Sequence, residues 1–239
     1  MALSKDKVQQ LQKEHPFMSL SEIMYKILLQ EIATFQLLPN TKISENSLSQ
    51  QLEVSRSPVK AALEQLEKKG FVIKNRGYTV ANFSQKEYND IMDLAMLLEP
   101  YAAGQAALRI TDKELDTLCN VAIQMRDLYN KAARLQSNMD CDELIDLEYQ
   151  FHTGIIIYAK NPLLKNLYYE LRYKLLRYRN YLIYDPPEGI YETLGKDHCL
   201  IVDAIRLRDK GVAIAMMRRH LCVSQRVFRN KIKFKSILK

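Results

Sequence analysis

The sequence lacks any segment that would place it in or across a membrane. No apolar run approaches the roughly 20 residues that a membrane-spanning helix requires. The N-terminal residues are polar and charged, whereas a secretory signal peptide has a basic segment followed by an apolar core. We therefore expect a cytoplasmic protein with no membrane partner.

Cysteine is scarce, and its spacing does not predict a disulfide framework. No Cys-x-x-Cys pair is present, and disulfide frameworks belong to secreted proteins, of which this sequence shows no sign. The four cysteines are therefore expected to be free, buried thiols: Cys119, Cys141, Cys199 and Cys222.

The motifs of two enzyme classes are also missing. There is no Gly-x-Ser-x-Gly motif, which presents the nucleophile of many hydrolases. There is no Glu-x-x-His repeat of the kind that di-metal carboxylate bundles use. These absences argue against an enzyme.

The composition is that of a two-domain globular protein with a basic excess. Its 239 residues are 47% apolar and 26% charged, which is enough for two cores of ordinary size. The net charge of +7 favours a polyanionic partner. Part of the excess lies in a C-terminal segment without acidic neighbours, which is expected to be a frayed, solvated tail: Arg229, Lys231, Lys233, Lys235 and Lys239.

Residues 41–81 have the pattern of a winged helix-turn-helix. A short helix is predicted from Ile43 through Leu52, followed by a turn and a second helix from Ser55 to about Lys69, where Gly70 ends it. Ser55 has a side chain suited to capping, and a proline follows in the first turn, where a missing N–H has no cost. The strand formers of 71–73 and 78–80 flank a tip at 75–77.

This pattern places cationic side chains where a helix-turn-helix meets DNA. The second helix of such a unit enters the major groove with its N-terminal residues toward the bases, so Arg56 can donate two hydrogen bonds to a guanine. Lys60 lies one turn further on, and Arg76 at the tip can enter the minor groove. A helical hairpin with a surface ribbon for protein contacts is the alternative that spacing alone leaves open.

The same residues resemble the signature of GntR-type transcription regulators. The matching segments are 38–40, 43–45, 54–63, 70–72 and 76–80, with Asn40 in place of the usual Gly and Lys60-Ala61 in place of the usual Arg-Glu. The resemblance implies binding to double-stranded DNA through Glu45, Asn46, Ser55, Arg56, Ser57, Pro58, Lys60, Arg76 and Gly77.

After residue 83 the pattern becomes one of amphipathic helices without a convincing strand. Breaks divide residues 84–239 into six helices, which predicts an all-α bundle. We therefore predict a mainly α protein with a DNA-binding domain at 1–83, of which 1–18 is a flexible tail, and a helical domain at 84–239. The predicted breaks lie at Ser84, Thr111-Asp112, Ser137-Asn138, Asn161-Pro162, Pro186-Pro187 and Lys210-Gly211.

Four residues of the helical part have the chemistry of a metal site. Glu148 and His152 share a helix face because they are four residues apart, while His198 and His220 lie on two later helices that are expected to pack antiparallel. Imidazoles with one carboxylate suit Zn, Mn or Ni. The alternative is that three unrelated histidines each satisfy a local polar contact.

Residues 91–223 resemble the FCD ligand-binding domain of the FadR branch of GntR regulators, and the six-helix count resembles its VanR-like subgroup. The matching residues include 98–100, 151–152, 161–164, His198 and His220. The resemblance implies that Glu148, His152, His198 and His220 hold a divalent metal at the floor of an effector pocket. Glu148 replaces the usual Asp, and Ala95 stands where many members carry an arginine.

Together these features predict a homodimeric, ligand-responsive transcription regulator that binds an inverted-repeat operator. The effector is a small molecule, for which an organic acid is one candidate, and Tyr173 and Arg177 share a face that would line its pocket. Two alternatives remain: a regulator for which the metal itself is the signal, and a metalloenzyme with an accessory DNA-binding domain.

Overall fold

The structure is a computed structural model that describes residues 3–135, 141–184 and 190–237. Its contacts divide the chain into two units, Met1–Phe83 and Ser84–Lys239. The predicted breaks at Ser137-Asn138 and Pro186-Pro187 lie outside the described residues. Among the helices that are described, none is both long and apolar enough to span a bilayer.

The first unit contains four helices and a small antiparallel sheet, in the order α1 (Lys5–Glu14), α2 (Leu20–Ala33), β1 (Lys42–Ile43), α3 (Glu45–Gln51), α4 (Arg56–Lys68), β2 (Val72–Lys74) and β3 (Tyr78–Val80).

The helix pair α3 and α4 forms the predicted helix-turn-helix. Ser44 caps α3 by accepting a hydrogen bond from the backbone N–H of Ser47, and Glu53 makes the turn with a positive φ of 52°. Ser55 precedes α4 as its N-cap residue, but its side chain makes no capping hydrogen bond. Val59, Leu63 and Leu66 recur at helical spacing on α4 and are fully buried, so they anchor α4 to the core of this unit.

The wing contains one strand more than the sequence predicted. The strands are ordered β1-β3-β2, so β3 lies in the centre and pairs antiparallel with both neighbours. β1 has only two residues, Lys42 and Ile43, and Ile43 therefore belongs to a strand, not to the start of α3 as expected. At the tip Arg76 and Gly77 both have positive φ, at 48° and 123°, which turns the ribbon back on itself.

The expectation of a flexible tail over residues 1–18 is wrong for α1. Ser4 caps this helix, Val8 is buried, and Lys7 forms an ion pair of 2.8 Å with the buried carboxylate of Glu31 on α2. Val8 and Leu11 are the two apolar residues of this helix, so its own sequence pattern gives little indication of a helix. Contacts with α2 supply the stabilisation that its own sequence does not.

The second unit is an all-α bundle, as predicted. Its six described helices are α5 (Gln85–Arg109), α6 (Asp112–Leu135), α7 (Cys141–Tyr158), α8 (Pro162–Tyr184), α9 (Ile190–Arg206) and α10 (Lys210–Ile237).

Caps at the helix starts explain where the bundle turns. At the predicted break after α5, Thr111 and Glu114 form a capping box, in which each side chain accepts a hydrogen bond from the other residue's backbone N–H. The side chain of Asn161 accepts hydrogen bonds from the backbone N–H groups of Leu163 and Leu164. Each cap therefore satisfies N–H groups that have no partner within their own helix.

Helix α5 is the central element of the bundle, since it packs against α7, α8, α9 and α10. Its Gly104 permits a close approach to α10, because a Cβ at this position would lie 2.7 Å from Cγ1 of Ile214. On the other side of the unit α6 packs along α9. This arrangement brings residues of α5, α7, α9 and α10 together inside the bundle.

Two smaller expectations need correction. Helix α10 continues to Ile237, so the basic segment through Lys235 extends a helix and is not a frayed tail, while Lys239 lies outside the described residues. Cys119 and Cys199 are half-buried free thiols, but Cys222 is exposed and not buried as expected. The side chain of Cys141 also lies outside the described residues.

Candidate nucleic-acid interface and candidate metal centre

The first unit presents the predicted DNA-contacting side chains to solvent at the start of α4 and at the tip of the wing. Ser55, Arg56, Ser57 and Lys60 are exposed, and Lys60 lies 3.9 Å from Glu64 one turn later on the same helix. This exposure leaves the start of α4 accessible to a groove.

The remaining candidates of this unit differ in accessibility. Asn46, Arg76 and Gly77 are exposed and Glu45 is half-buried, but Pro58 is buried. We therefore remove Pro58 from the candidate DNA contacts, because its ring fits the first turn of α4 and faces the core.

In the second unit, the four predicted metal ligands converge. One ring nitrogen from each of His152, His198 and His220 can be chosen so that all three lie within 4.8 Å of one another. The carboxylate of Glu148 lies between two of these rings, with Oε2 3.4 Å from Nε2 of His152 and Oε1 3.4 Å from Nε2 of His198. All four residues are buried. The fourth histidine, His15, is exposed in the first unit.

Hydrogen bonds on the outer side of this group orient its members. Nδ1 of His198 donates to the carbonyl of Leu194 at 2.9 Å, and the hydroxyl of Tyr129 donates to Oε1 of Glu148 at 2.8 Å. Because a carbonyl only accepts, the Nδ1 of His198 carries the proton and its Nε2 has a free lone pair when the ring is neutral.

A second carboxylate, that of Glu99 on α5, completes the outer contacts. Its Oε2 lies 2.9 Å from Nδ1 of His152, and its Oε1 accepts a hydrogen bond from Arg179 on α8. The other amino group of the Arg179 guanidinium donates to the hydroxyl of Tyr168. Glu99 therefore links the ring of His152 to the half-buried Arg179.

The charges in this group keep both carboxylates ionised. Burial acts to raise the pKa of Glu99, but Arg179 and His152 outweigh it and lower that pKa to about 2. Burial also acts to raise the pKa of Glu148, which His198 and His152 hold well below its ordinary value. At neutral pH the group therefore contains two carboxylates.

The three imidazoles respond differently to the same surroundings. Burial lowers the pKa of His198, and burial together with the neighbouring rings lowers the pKa of His220 further. Burial and Arg179 oppose the charged form of His152, but Glu99 and Glu148 raise its pKa above the ordinary value. Two of the three rings are therefore neutral at pH 7, as metal ligation requires.

The donor atoms fit a divalent ion. Among the described residues, Nε2 of His152 and Nε2 of His198 are buried and have no hydrogen-bond partner. Buried polar atoms are rarely left without partners. Two ligand atoms about 2.1 Å from one tetrahedral Zn²⁺ would be about 3.4 Å apart, which matches the two distances from Glu148 to its histidines.

Tyr173 and Arg177, which we expected to line an effector pocket, differ in burial. The guanidinium of Arg172 lies 4.6 Å from the ring centre of half-buried Tyr173. Arg177 is buried, and its pKa is lowered by burial although Tyr178 and Glu87 oppose this change. A role for Tyr173 and Arg177 in effector binding therefore stays a prediction.

Three residues that contact the candidate metal ligands or their neighbours were not predicted from residue spacing in the sequence: Tyr129, Glu99 and Arg179. The bond between His152 and Glu99 joins residues 53 positions apart in the chain. The available signal was the presence of two charged residues, Glu99 and Arg179, at positions whose helical neighbours are apolar.

Comparison with known families covers both units. The sequence model of the bacterial regulatory proteins of the gntR family matches residues 20–80, and that of the FCD domain matches residues 90–222. The second match alone extends over more than half of the chain.

Individual relatives agree with the family matches. The chain is 24% identical over 177 residues to the uncharacterized HTH-type transcriptional regulator YdhC of Bacillus subtilis, covering 73% of this chain and 75% of that protein. It is 25% identical over 212 residues to the HTH-type transcriptional repressor RspR of Escherichia coli, covering 87% and 88%. The solved structure of E. coli McbR/YncC has the same fold, with a TM-score of 0.75 at 17% identity over 90% of this chain and 100% of that one.

Proposed function

This chain belongs to the GntR family of bacterial regulatory proteins and carries an FCD domain, and we propose that it is a homodimeric regulator that binds an inverted-repeat operator and responds to a small molecule. It is a transcriptional regulator, and the prediction that it is not an enzyme is confirmed by the regulators to which it is related. The alternative of a metalloenzyme is thereby rejected. Because its target is DNA, we propose that it acts in the cytoplasm.

The exposed cationic start of α4 is the observation that carries the proposed operator binding. Arg56 can present two parallel donors to O6 and N7 of a guanine, and Lys60 can reach a phosphate or a second base. Arg76 is exposed at the tip of the wing. Contacts to phosphate would supply most of the affinity, and contacts to bases would supply the specificity.

An apolar stripe on α5 supports the proposed dimer. Leu94, Leu97, Tyr101 and Leu108 are all exposed on this helix, and Leu97 is exposed to 69%. Their spacing of three, four and seven residues places them on one side of the helix. Such a stripe is self-complementary about a two-fold axis, which is the symmetry that an inverted repeat mirrors.

Glu148, His152, His198 and His220 would hold a divalent metal in the bundle. The unpartnered nitrogen atoms and the nearby carboxylate support this assignment. The ion would supply a Lewis-acidic position to which an oxygen atom of the effector binds. Zn, Mn and Ni all accept this set of ligands.

The effector itself is proposed to be a small organic molecule bound next to the metal. Ala95 is buried on α5 and offers no cation, so a carboxylate effector would not be clamped from that position. Binding can change DNA affinity only if the effector has different affinities for two states of the protein. Operator release by metal addition or removal, with no organic ligand present, would instead identify the metal as the signal.

Selection of DNA from a random library tests the proposed operator binding. We expect the full-length protein to enrich an inverted repeat whose half-sites are separated by about one helical turn or a multiple of it. Enrichment is measured by sequencing the bound fraction from successive gel shifts at fixed salt. Failure to enrich any sequence, or enrichment of a site without two-fold symmetry, would contradict the proposal.

A further inference from the structure

We infer that Glu99 is a positioning residue for the metal centre, which it serves by fixing the tautomer and the orientation of His152. This inference rests on the proposed metal site. Glu99 itself is not a metal ligand, because it contacts the Nδ1 of His152, the nitrogen on the side away from Glu148.

Each oxygen of the Glu99 carboxylate has a different partner. Oε2 lies 2.9 Å from Nδ1 of His152, and Oε1 is held by the guanidinium of Arg179. Glu99 is exposed to only 1% and lies in the middle of α5, the central helix of the bundle. The carboxylate therefore has little freedom to turn away from His152.

An ionised carboxylate can only accept hydrogen bonds, so its partner nitrogen must carry the proton. The arginine beside Glu99 supports the ionised form. When the ring of His152 is neutral and its proton is on Nδ1, Nε2 presents a lone pair toward Glu148 and the other two histidines. No described residue forms a hydrogen bond with this nitrogen, and it is the atom that a metal would use.

No comparable side-chain hydrogen bond sets the tautomer of the other two histidines. His198 donates to the backbone carbonyl of Leu194, an acceptor that no side-chain substitution removes. His220 has a carboxylate of Asp197 on one side, but the distance of 4.0 Å to Nδ1 is too long for a hydrogen bond. His152 is therefore the ring whose tautomer is set by one replaceable side chain.

Metal affinity is the first measurement. Competition for Zn²⁺ between the full-length protein, purified without a histidine tag, and a chromophoric chelator gives the Kd. We expect Glu99→Gln to weaken Zn²⁺ binding about tenfold, because the acceptor remains while its charge is lost, and Glu99→Ala to weaken it up to about 100-fold. Glu87→Gln is the matched control, since Glu87 is also on α5 and contacts Lys174 and Tyr178. It should leave the Kd unchanged.

The tautomer of His152 is the second measurement. Nitrogen-15 NMR of the metal-free protein at pH 8.5 distinguishes protonated from unprotonated ring nitrogen atoms. We expect Nε2 of His152 to be unprotonated in the wild type and in Glu87→Gln, and to become partly protonated in Glu99→Gln. A loss of Zn²⁺ affinity without this change would overturn the positioning role, because general destabilisation would account for it.

Removal of one member of a buried ion pair can prevent folding. The double variant Glu99→Gln/Arg179→Gln leaves neither charge behind, and it should show the same loss of Zn²⁺ affinity as Glu99→Gln. Unchanged Zn²⁺ affinity in a folded Glu99 variant would overturn the inference. Wild-type protein that binds no stoichiometric metal would contradict the proposed metal site instead, and the tautomer measurement would still decide the role of Glu99.

Discussion

At the start of α4, two exposed cationic side chains of different chemistry lie one turn apart. The guanidinium of Arg56 is planar and can recognise a guanine through two hydrogen bonds, whereas the ammonium of Lys60 is a point charge suited to phosphate. We predict that Arg56→Ala lowers operator affinity by about 1–3 kcal/mol per half-site and relaxes the base preference there. Gel-shift titration against the selected operator and its single-base variants measures both effects.

Two comparison variants separate these roles. Lys60→Ala should weaken binding to all sequences alike and reduce the salt dependence, because a phosphate contact releases a counterion. Lys13→Ala, on the polar helix α1, should leave affinity and specificity unchanged. Arg56→Ala with wild-type affinity and wild-type base preference would exclude Arg56 as a base-reading residue.

At the same scale, the sequence indicated which candidate metal ligands lie together, but not which side chains surround them. Glu148 and His152 could be paired from spacing, because residues four apart on a helix share a face. His198 and His220 were added because their helices were expected to pack antiparallel, and the family resemblance implied the same set of four. Glu99, Arg179 and Tyr129 come from helices packed against α7 and its neighbours, and periodicity within one helix carries no information on such contacts.

At the scale of elements, the close approach of α5 to α10 depends on a residue without a side chain. A Cβ at Gly104 would lie 2.7 Å from Cγ1 and 2.9 Å from Cδ1 of Ile214. Ile214 is β-branched, so Cγ1 cannot move far without displacing its helix. We predict that Gly104→Ala lowers the free energy of unfolding by about 1–3 kcal/mol, the usual effect of overpacking, as measured by urea denaturation.

A double-mutant cycle isolates this contact. Ile214→Ala removes the two closest atoms and leaves Cγ of Lys210 at 3.1 Å, on a flexible side chain, so Gly104→Ala should be much less destabilising in that background. Gly154→Ala on α7 is the matched control, because the nearest atom to its Cβ would lie at an ordinary 3.4 Å, and there alanine should stabilise the helix slightly. Equal effects of Gly104→Ala with and without Ile214 would show that the two helices are not in steric contact at this point.

The two elements that were not predicted from the sequence, α1 and β1, have too few apolar residues or are too short to show a helix or strand pattern. β1 has two residues and exists because Lys42 and Ile43 pair with β3, and α1 buries a single apolar side chain, Val8. The long helices of the second unit were predicted because many residues repeat the same amphipathic pattern. Elements whose stability comes from a neighbour cannot be recognised from their own residues.

At the scale of the whole molecule, the features proposed for DNA binding lie in the first unit, and those proposed for metal binding and dimerisation lie in the second. The first unit presents exposed cations, while the second contains buried ionisable residues and an exposed apolar stripe on α5. The basic excess of the chain would attract DNA at long range, and added salt would screen that attraction. In the proposed regulator, specific recognition would require two first units bound to one operator, so the oligomeric state is the property to test first.

We predict that Leu97→Glu converts the protein from a dimer to a monomer. The substitution places a charge in the middle of the α5 stripe, and in a two-fold interface it would bring that charge against its copy or against apolar side chains. Sedimentation velocity measures the mass, and operator affinity should fall by about 100-fold or more because the second half-site is no longer bound by a linked partner. Leu207→Glu is the matched control, since Leu207 is exposed to 71% and lies outside α5. A Leu97→Glu protein that stays dimeric would show that the α5 stripe is not the interface.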